Sequence, residues 1–409
     1  MSIRIGNGGS GIGACVKIPG DRPKYPVEIA TIVVVLHALA LSLPLLLLRE
    51  NRISGEIPVR VFSLGPIPII LLLLPPLLAL WYGYVASTRF SEYILSLCAI
   101  IGVLSPMAVL TFHGASITLE LGPYARYSPA SGFYLYLVAT LVIFLMKRSM
   151  GWRDHITLGI IILGTMVLMM VGPLDRFGLI LEARNLGSRL GREISAHLRI
   201  TAISLAISVI LGVPIALFSY QLKRMRQVVF PLLNVLQTIP GIALFGLLIA
   251  PLAALSQASP LLRSWGIKGI GNTPAIIALS IYALYPIIRY SYTAFRGIDA
   301  QVILAARGMG MDNRQIWRMV RFPLAAAGVL HGIRVALVQT IGNATLAKLI
   351  GGDGLGVLVF EGLGQASVDM VLLGMLLIIA LTLVSDRLFQ ILIFLLTPKS
   401  LRNQGAPHG

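Results

Sequence analysis

Acidic side chains are scarce in this chain: 16 Asp and Glu stand against 33 Lys and Arg in 409 residues, and charged residues of both signs make up 12%. A soluble domain carries about 25%, so a water-solvated fold is excluded before any motif is read. Cysteine is nearly absent. Cys15 lies in a polar N-terminal stretch and Cys98 in an apolar run, so the two cannot meet across a bilayer and neither a disulfide scaffold nor a redox pair is expected. No G-x-x-x-x-G-K-[ST] stretch is present, so the chain does not cradle ATP phosphates itself. The G-x-G patterns at Gly6–Gly11 and Gly351–Gly356 follow no expected strand and read as loops. Zinc spacings, a catalytic triad and a nucleophile elbow are all missing, so no catalytic residue and no metal site is expected. No pair of carboxylates falls at mid-membrane in the C-terminal half, which speaks against a proton-coupled carrier.

What fills the chain instead is hydrocarbon. Hydrophobic residues make up 56% and the mean hydropathy is +0.86. Runs of roughly 17–25 apolar residues match the ~30 Å bilayer core as helices, and ten are read: 27–48, 66–85, 93–112, 132–146, 156–172, 197–219, 228–254, 273–290, 323–346 and 370–394. The expected fold is an all-α polytopic membrane protein, since barrel strands would alternate with period two. The net charge of +17 is then a matter of topology rather than of nucleic-acid binding. Placing the N-terminus in the cytosol puts the larger share of Lys and Arg on the internal side. The first apolar run begins near Val27 and is long enough to span, so no cleavable leader is expected.

Two regions differ in texture. The first five runs, 27–172, are very apolar, with Leu45–Leu48 and Leu71–Leu74 and the Pro75-Pro76 pair, and read as an accessory bundle without a substrate site. His37 and His113 read as packing histidines there. Segment 173–196 is expected to be an external interfacial helix, with Leu179, Ala183, Leu186, Leu190 and Ile194 on one face and Arg184, Ser188 and Arg192 opposite. From His197 to 394, small and polar residues thread the apolar runs: Ser204, Ser208, Gly212, Gln237, Gly246, Ser280, Gln339, Asn343. Helices of that kind pack closely and line water-filled paths. Tails at 1–26 and 395–409 are read as cytosolic.

Between the eighth and ninth runs lies a polar stretch, Gly297 to Pro323. Arg307, Arg314, Arg318, Arg321 and Asp312 do not belong in hydrocarbon, yet Ile303, Ala306, Ile316, Met319 and Val320 recur at helical spacing. The pattern predicts two short amphipathic helices offered to a protein partner. Gly308 and Gly310 permit the turn between them. Asp312 predicts an N-cap, with Gln315 completing a capping box, and Pro323 is expected to end the second helix and open the ninth span.

Leu304-Ala305-Ala306, Gly310 and Val320-Arg321-Phe322-Pro323 resemble the loop motif of the inner-membrane permease subunits of binding-protein-dependent ABC importers. Leu236–Pro240, Gly269–Leu279, Tyr282–Ile287, Ala305–Met311 and Ile350–Gly356 are similar to the branch that takes up glycine betaine and choline. The resemblance covers about half of the chain. It implies a type I importer permease core at 197–394, dimeric with a second permease subunit, in the bacterial inner membrane. It implies a cytosolic ATPase that holds ATP and Mg and meets the loop at 296–322, and an external solute-binding protein. Leu304 stands where the family has Glu, which removes a carboxylate from that contact. Gln237, Phe245, Tyr282, Tyr285 and Asn343 are candidates for the translocation path, with packing or interface roles as the alternative for the aromatics. Ala347–Gly364 is a candidate contact for the binding protein or an outer gate. A permease for another small solute, or a secondary transporter or channel needing no ATPase, are the competing functions.

One charge stands out. Arg334 falls about 16 Å along the ninth run at 1.5 Å per residue, where an unpaired Arg costs on the order of 2.5–3.5 kcal/mol. Asp386 lies at a comparable height in the tenth run, and an Arg334–Asp386 ion pair is expected; the alternative has Arg334 reaching for the interface and Asp386 pairing with Arg387.

Overall fold

The computed structural model describes residues 27–52, 54–85, 91–145 and 152–396. The two tails, Cys15 and the Gly6–Gly11 pattern lie outside them. The chain divides into two compact units, Met1–Gly178 and Leu179–Gly409.

The first unit holds α1 (Val27–Ser42), β1 (Pro44–Arg49), β2 (Ile57–Arg60), α2 (Pro66–Val85), α3 (Ser91–Ala108), α4 (Gly114–Leu121), β3 (Arg126–Pro129), α5 (Ser131–Leu145) and α6 (Trp152–Val171). A π turn, Val109–His113, joins α3 to α4, so the third run continues well past residue 112. Val33, Ala79, Leu95, Cys98 and Ile143 form the core. His37 is buried, its Nδ1 2.8 Å from the Val33 carbonyl. His113 carries a buried Nδ1 in the π turn.

The sheet is the main departure from the sequence reading. Leu45–Leu48, expected to finish the first span, form the middle strand of an antiparallel β2-β1-β3 sheet, with Leu46 opposite Val59 on one side and Pro129 on the other. Both Leu45 and Leu46 are fully buried. A strand covered on both faces shows no alternation, and a short apolar run then reads the same as helix.

The second unit runs through α7 (Gly178–Leu186), α8 (Ser188–Gln221), α9 (Lys223–Thr238), α10 (Gly241–Ala258), α11 (Pro260–Ser264), α12 (Asn272–Arg296), α13 (Ala300–Gly308), α14 (Asn313–Gln315), α15 (Phe322–Asn343), α16 (Gly356–Gly364) and α17 (Val368–Leu396). A π turn, Ile316–Arg321, precedes α15, and a 3-10 turn, Ala344–Ile350, follows it.

Helix α12 is the axis, packed between α8 and α15, while α17 leans on α15 and α16. The small polar residues explain how close these helices come. The Ser208 hydroxyl donates to the Ser280 carbonyl at 2.9 Å, the Ser204 hydroxyl to the Ile276 carbonyl at 3.2 Å, and the Ser280 hydroxyl back to the Ser204 carbonyl at 3.3 Å across the same seam. A Cβ on Gly212 would stand 2.9 Å from Ile287, and one on Gly332 2.7 Å from Tyr290. Close backbone approach of this kind, with hydroxyls bridging, is how helices associate without a hydrophobic gain between them.

Two boundaries differ from those the sequence predicts. The run 228–254 is not one span: Ile239-Pro240 splits it, because the residue before a proline is pushed to extended backbone, leaving α10 as the span and α9 as an amphipathic helix. The expected interfacial helix at 173–196 is also divided. Gly187, with φ +49°, breaks it, and Ser188 onward belongs to the 34-residue α8. Leu186, Leu190 and Ile194 pack against Leu355, Leu358 and Met370 rather than lying on lipid. Among the described residues, seven helices are long and apolar enough to cross a membrane and three shorter apolar ones accompany them.

Candidate functional site

The polar stretch folds as a helix, a glycine turn and a capped helix. Asp299 caps α13, its carboxylate accepting from the Gln301 amide at 2.9 Å. The turn that follows closes with Met309 N–H on the Ala305 carbonyl and Met311 N–H on that of Ala306, at 3.0 and 3.2 Å. Asp312 then forms both halves of a capping box: its carboxylate accepts from the Gln315 amide at 2.7 Å, and the Gln315 side chain accepts from the Asp312 amide at 2.8 Å.

The two glycines are not equivalent. Gly310 has φ +82°, where a Cβ is strained. Gly308 is the last helical residue, and a Cβ there meets nothing within 4 Å, so the turn does not depend on it. Substituting Ala at the two positions is expected to act in opposite directions. Gly310→Ala costs roughly 1–2 kcal/mol of local stability, whereas Gly308→Ala is neutral or gains up to about 1 kcal/mol through helix propensity. Hydrogen exchange at the Met309–Met311 amides reads both.

Pro323 does not end the second helix. The chain runs from Asn313 through the π turn into α15 without a break, and Pro323 occupies the first turn of α15. The wider i→i+5 pattern of Ile316–Arg321 absorbs the missing proline N–H. Ala306 and Ile316 are buried at the helix–helix contact, while Leu304, Met309 and Met319 are exposed. Ala305 and Arg307 flank the buried Ala306 on α13 and are exposed. The surface offered is therefore apolar and basic, with its carboxylates Asp299 and Asp312 turned to capping.

Behind this element sits an aromatic cluster that the sequence did not disclose. Tyr220 of α8, Phe295 of α12, Trp317 of the π turn and Phe322 of α15 pack with ring centroids 5.7–6.1 Å apart. Their spacing over a hundred residues of chain gives no local signal.

The translocation candidates occupy less open places than expected. Phe245 and Tyr282 are buried in one cluster with Ile200, Leu244, Ala275 and Ala278. The Tyr282 hydroxyl donates to the Ile239 carbonyl and Gln237 Nε2 donates to the Tyr282 carbonyl at 3.3 Å. Tyr285 packs beside Ile288 and Tyr292. Asn343, half-buried, ends α15. Within one chain Gln237, Phe245 and Tyr282 knit α9, α10 and α12 together.

Arg334 meets Asp386 in a two-point contact, Nε to Oδ1 at 2.5 Å and Nη2 to Oδ2 at 2.9 Å, joining α15 to α17. Gln390 adds a donor to the same carboxylate at 2.9 Å, and Arg387 turns to Gln390 instead.

At the far end of α8 a second polar network appears. Arg189 grips Glu361 through both oxygens at 2.8 and 2.9 Å, and Lys348 joins at 3.2 Å. Glu193 accepts from the Gly354 amide at 3.0 Å, and Asn272 and Asp353 exchange hydrogen bonds at 2.8 and 2.9 Å. Partial burial pushes the Glu361 carboxyl up, but hydrogen bonds and charge from Arg189 and Lys348 outweigh it and hold the group below its ordinary value. Most of these pairings carry no local signal, with Asn272 and Asp353 81 positions apart, Glu193 and Gly354 161, and Arg189 and Glu361 172; the usable signal is that each charge in so apolar a chain needs a counter-charge.

The second unit is thus a set of membrane-length helices carrying a polar two-helix element between α12 and α15. Residues 208–397 match the model of the binding-protein-dependent transport system inner membrane component, and residues 24–180 match the N-terminal domain of the ABC transporter permease YehY. The chain is 36% identical over 206 residues, half of its own length, to 91% of the osmoprotectant import permease protein OsmW of Salmonella typhimurium. It is 32% identical over 206 residues, again half of its length, to 88% of the choline transport system permease protein OpuBB of Bacillus subtilis. Among solved structures, an inward-facing form of the MetNI methionine ABC transporter aligns over 52% of this chain and 99% of its own at 21% identity with a TM-score of 0.45. The chain belongs to the inner-membrane permease family of binding-protein-dependent ABC importers. It is a transport subunit rather than an enzyme.

Proposed function

We propose that this permease moves glycine betaine, choline or a related quaternary-ammonium osmolyte into the cytoplasm of a bacterium. The substrate class rests on the osmoprotectant and choline permeases to which its C-terminal half is similar. The observation that carries ATP-driven import is the form of Gly297–Pro323: a capped helix pair with exposed Leu304, Met309 and Met319 on a basic surface. A cytosolic ATPase with ATP and Mg docks there, and its closure moves the core between inward- and outward-facing forms. The chain pairs with a second permease subunit, and the network around Gly351–Gly354 faces the external solute-binding protein. Both termini lie in the cytosol, in keeping with the excess of Lys and Arg on that side. Quaternary ammonium groups are held best by aromatic faces; with Phe245 and Tyr282 packed away in the core, tight recognition is assigned to the binding protein. The domain plan that follows is an accessory bundle at 27–172 and a permease core at 197–394, with the coupling loop at 296–322.

The test is uptake of radiolabelled glycine betaine into proteoliposomes holding this chain with its ATPase and binding protein. Accumulation is expected only with ATP and is competed by choline. Stimulation of ATP hydrolysis by the loaded binding protein without betaine uptake sinks the substrate; uptake indifferent to ATP sinks the mechanism.

A further inference from the structure

Arg321 is the one cation of the coupling stretch that turns back into the protein. Its guanidinium lies 4.6 Å from the centroid of the Trp317 ring and 5.6 Å from that of Tyr220. Its Nε is buried without a hydrogen-bond partner among the described residues. The group is thus held by ring faces and not by a carboxylate. Cation–π contacts are worth about 0.5–1 kcal/mol when exposed and about 2 kcal/mol when desolvated. Trp317 belongs to the π turn of the coupling element, and Tyr220 is the second-last residue of α8. The clamp therefore ties an element that a partner moves to one end of a helix of the core. Beside it opens a cavity of about 510 Å³ lined by Tyr220, Gln221, Asn313, Ile316, Trp317 and Arg321, so the rings are not packed in on every side.

The other end of α8 gives this tie its reach. At 34 residues the helix is about 50 Å long at 1.5 Å per residue. Its first turns carry Arg189 and Glu193, which hold Glu361 of α16 and the Gly354 amide. One unbroken helix thus has the coupling element on its last turn and the glycine-loop network on its first. Pro214 near the clamped end removes one backbone hydrogen bond, a place where the rod yields if it bends.

We propose that Arg321 is a positioning residue for coupling: by clamping Trp317 to Tyr220 it carries displacement of the Gly297–Pro323 element into α8, and α8 delivers it to the network that holds Gly354 and α16. This rests on the permease function but not on the identity of the solute. Without the clamp, the coupling element still docks, because its exposed Leu304, Met309 and Met319 are untouched, and the ATPase still turns over, but the far end of α8 no longer follows.

The experiment uses the full permease–ATPase complex in nanodiscs, with Cys15 and Cys98 replaced by Ala and spin labels at Ser195→Cys and Leu363→Cys, both exposed positions on α8 and α16. The distance distribution is recorded with and without ATP and vanadate, and no solute is needed. An ATP-driven shift is expected in the otherwise unaltered chain. In Arg321→Met, which keeps the stem and removes the charge, the shifted population falls about five-fold while ATPase association is unchanged; Arg321→Lys, which keeps a cation over the rings, retains most of it. Tyr220→Leu reproduces Arg321→Met from the other side of the clamp. A shift of full size in Arg321→Met overturns the proposal. So does loss of ATPase association in that variant, which would place Arg321 in the docking contact, and so does a label pair that ATP leaves unmoved in the parent chain. Failure of betaine uptake would count against the solute alone.

Discussion

Asp386→Asn is expected to lower the stability of the purified permease by on the order of 3 kcal/mol, the scale set by leaving an arginine unpaired in hydrocarbon; the protein itself only partly covers the pair, Arg334 being 25% and Asp386 22% exposed. Arg334 would keep its charge with only an amide to meet, since a guanidinium cannot discharge itself. Arg334→Met is expected to cost less. The carboxyl left behind still accepts from Gln390 at 2.9 Å and can take up a proton, an escape the guanidinium lacks. The double change Arg334→Met with Asp386→Leu removes both charges and is expected to recover most of the loss, because no charge is then left in hydrocarbon without a counter-charge. Thermal unfolding in nanodiscs, with membrane level as a second readout, separates the four chains. If Asp386→Asn and Arg334→Met prove equally mild, the pair is a surface contact whose worth is the ~0.2–1 kcal/mol of exposed bridges.

Gly356→Ala is expected to be the most damaging single methyl in the molecule. Its Cβ would fall well inside contact distance of the Thr345 carbonyl oxygen and within 2.9 Å of the Thr345 Cα. Those are backbone atoms, so no rotamer relieves the overlap. The 3-10 turn Ala344–Ile350 would have to move, and it is anchored at its middle and at its last residue: Ala347 accepts from the Gly352 amide at 2.9 Å, and Ile350 from the Gly271 amide at 2.8 Å. Overpacking costs typically 1–3 kcal/mol and occasionally more, and a clash against fixed backbone belongs at or beyond the top of that range. Gly364→Ala, at the other end of α16 where a Cβ meets nothing within 4 Å, is the control and should be close to neutral. Comparable thermal transitions for the two variants would mean that the turn yields freely.

Much of this architecture could be read from residues. Long apolar runs announce spans because hydrocarbon leaves a helix no other way to satisfy its backbone. Asp312 and Gln315 are three positions apart and announce their own cap. Arg334 was legible for a different reason: its cost in a membrane is large enough to require a partner, and few acids exist to supply one. Most of what escaped joins segments far apart in sequence: the pairing of Leu46 with Pro129, the rings of Tyr220, Phe295 and Trp317, and the bonds from Asn272 to Asp353. The nearer pairing of Leu46 with Val59 escaped because a strand covered on both faces shows no alternation. Periodicity reports on neighbours along a chain and is silent about neighbours across it. Two differences are local. Pro323 predicts a stop because a proline removes a helical hydrogen bond, yet the chain passes through the π turn into α15 unbroken; Gly308 predicts a turn residue, yet its backbone is helical.

That π turn carries a geometric consequence. An α-helix advances 100° per residue, and Ile316–Arg321 holds its bonds one residue wider, so about one residue's worth of azimuth is lost between Asn313 and Phe322. A single helical wheel drawn from 313 to 343 would therefore put the surface that greets the ATPase and the stripe that lies on α12 in false alignment. Removing one residue within 316–321 would leave the rod straight and yet swing the greeting surface round by roughly 100°, like a key recut with its teeth on the wrong side of the blade.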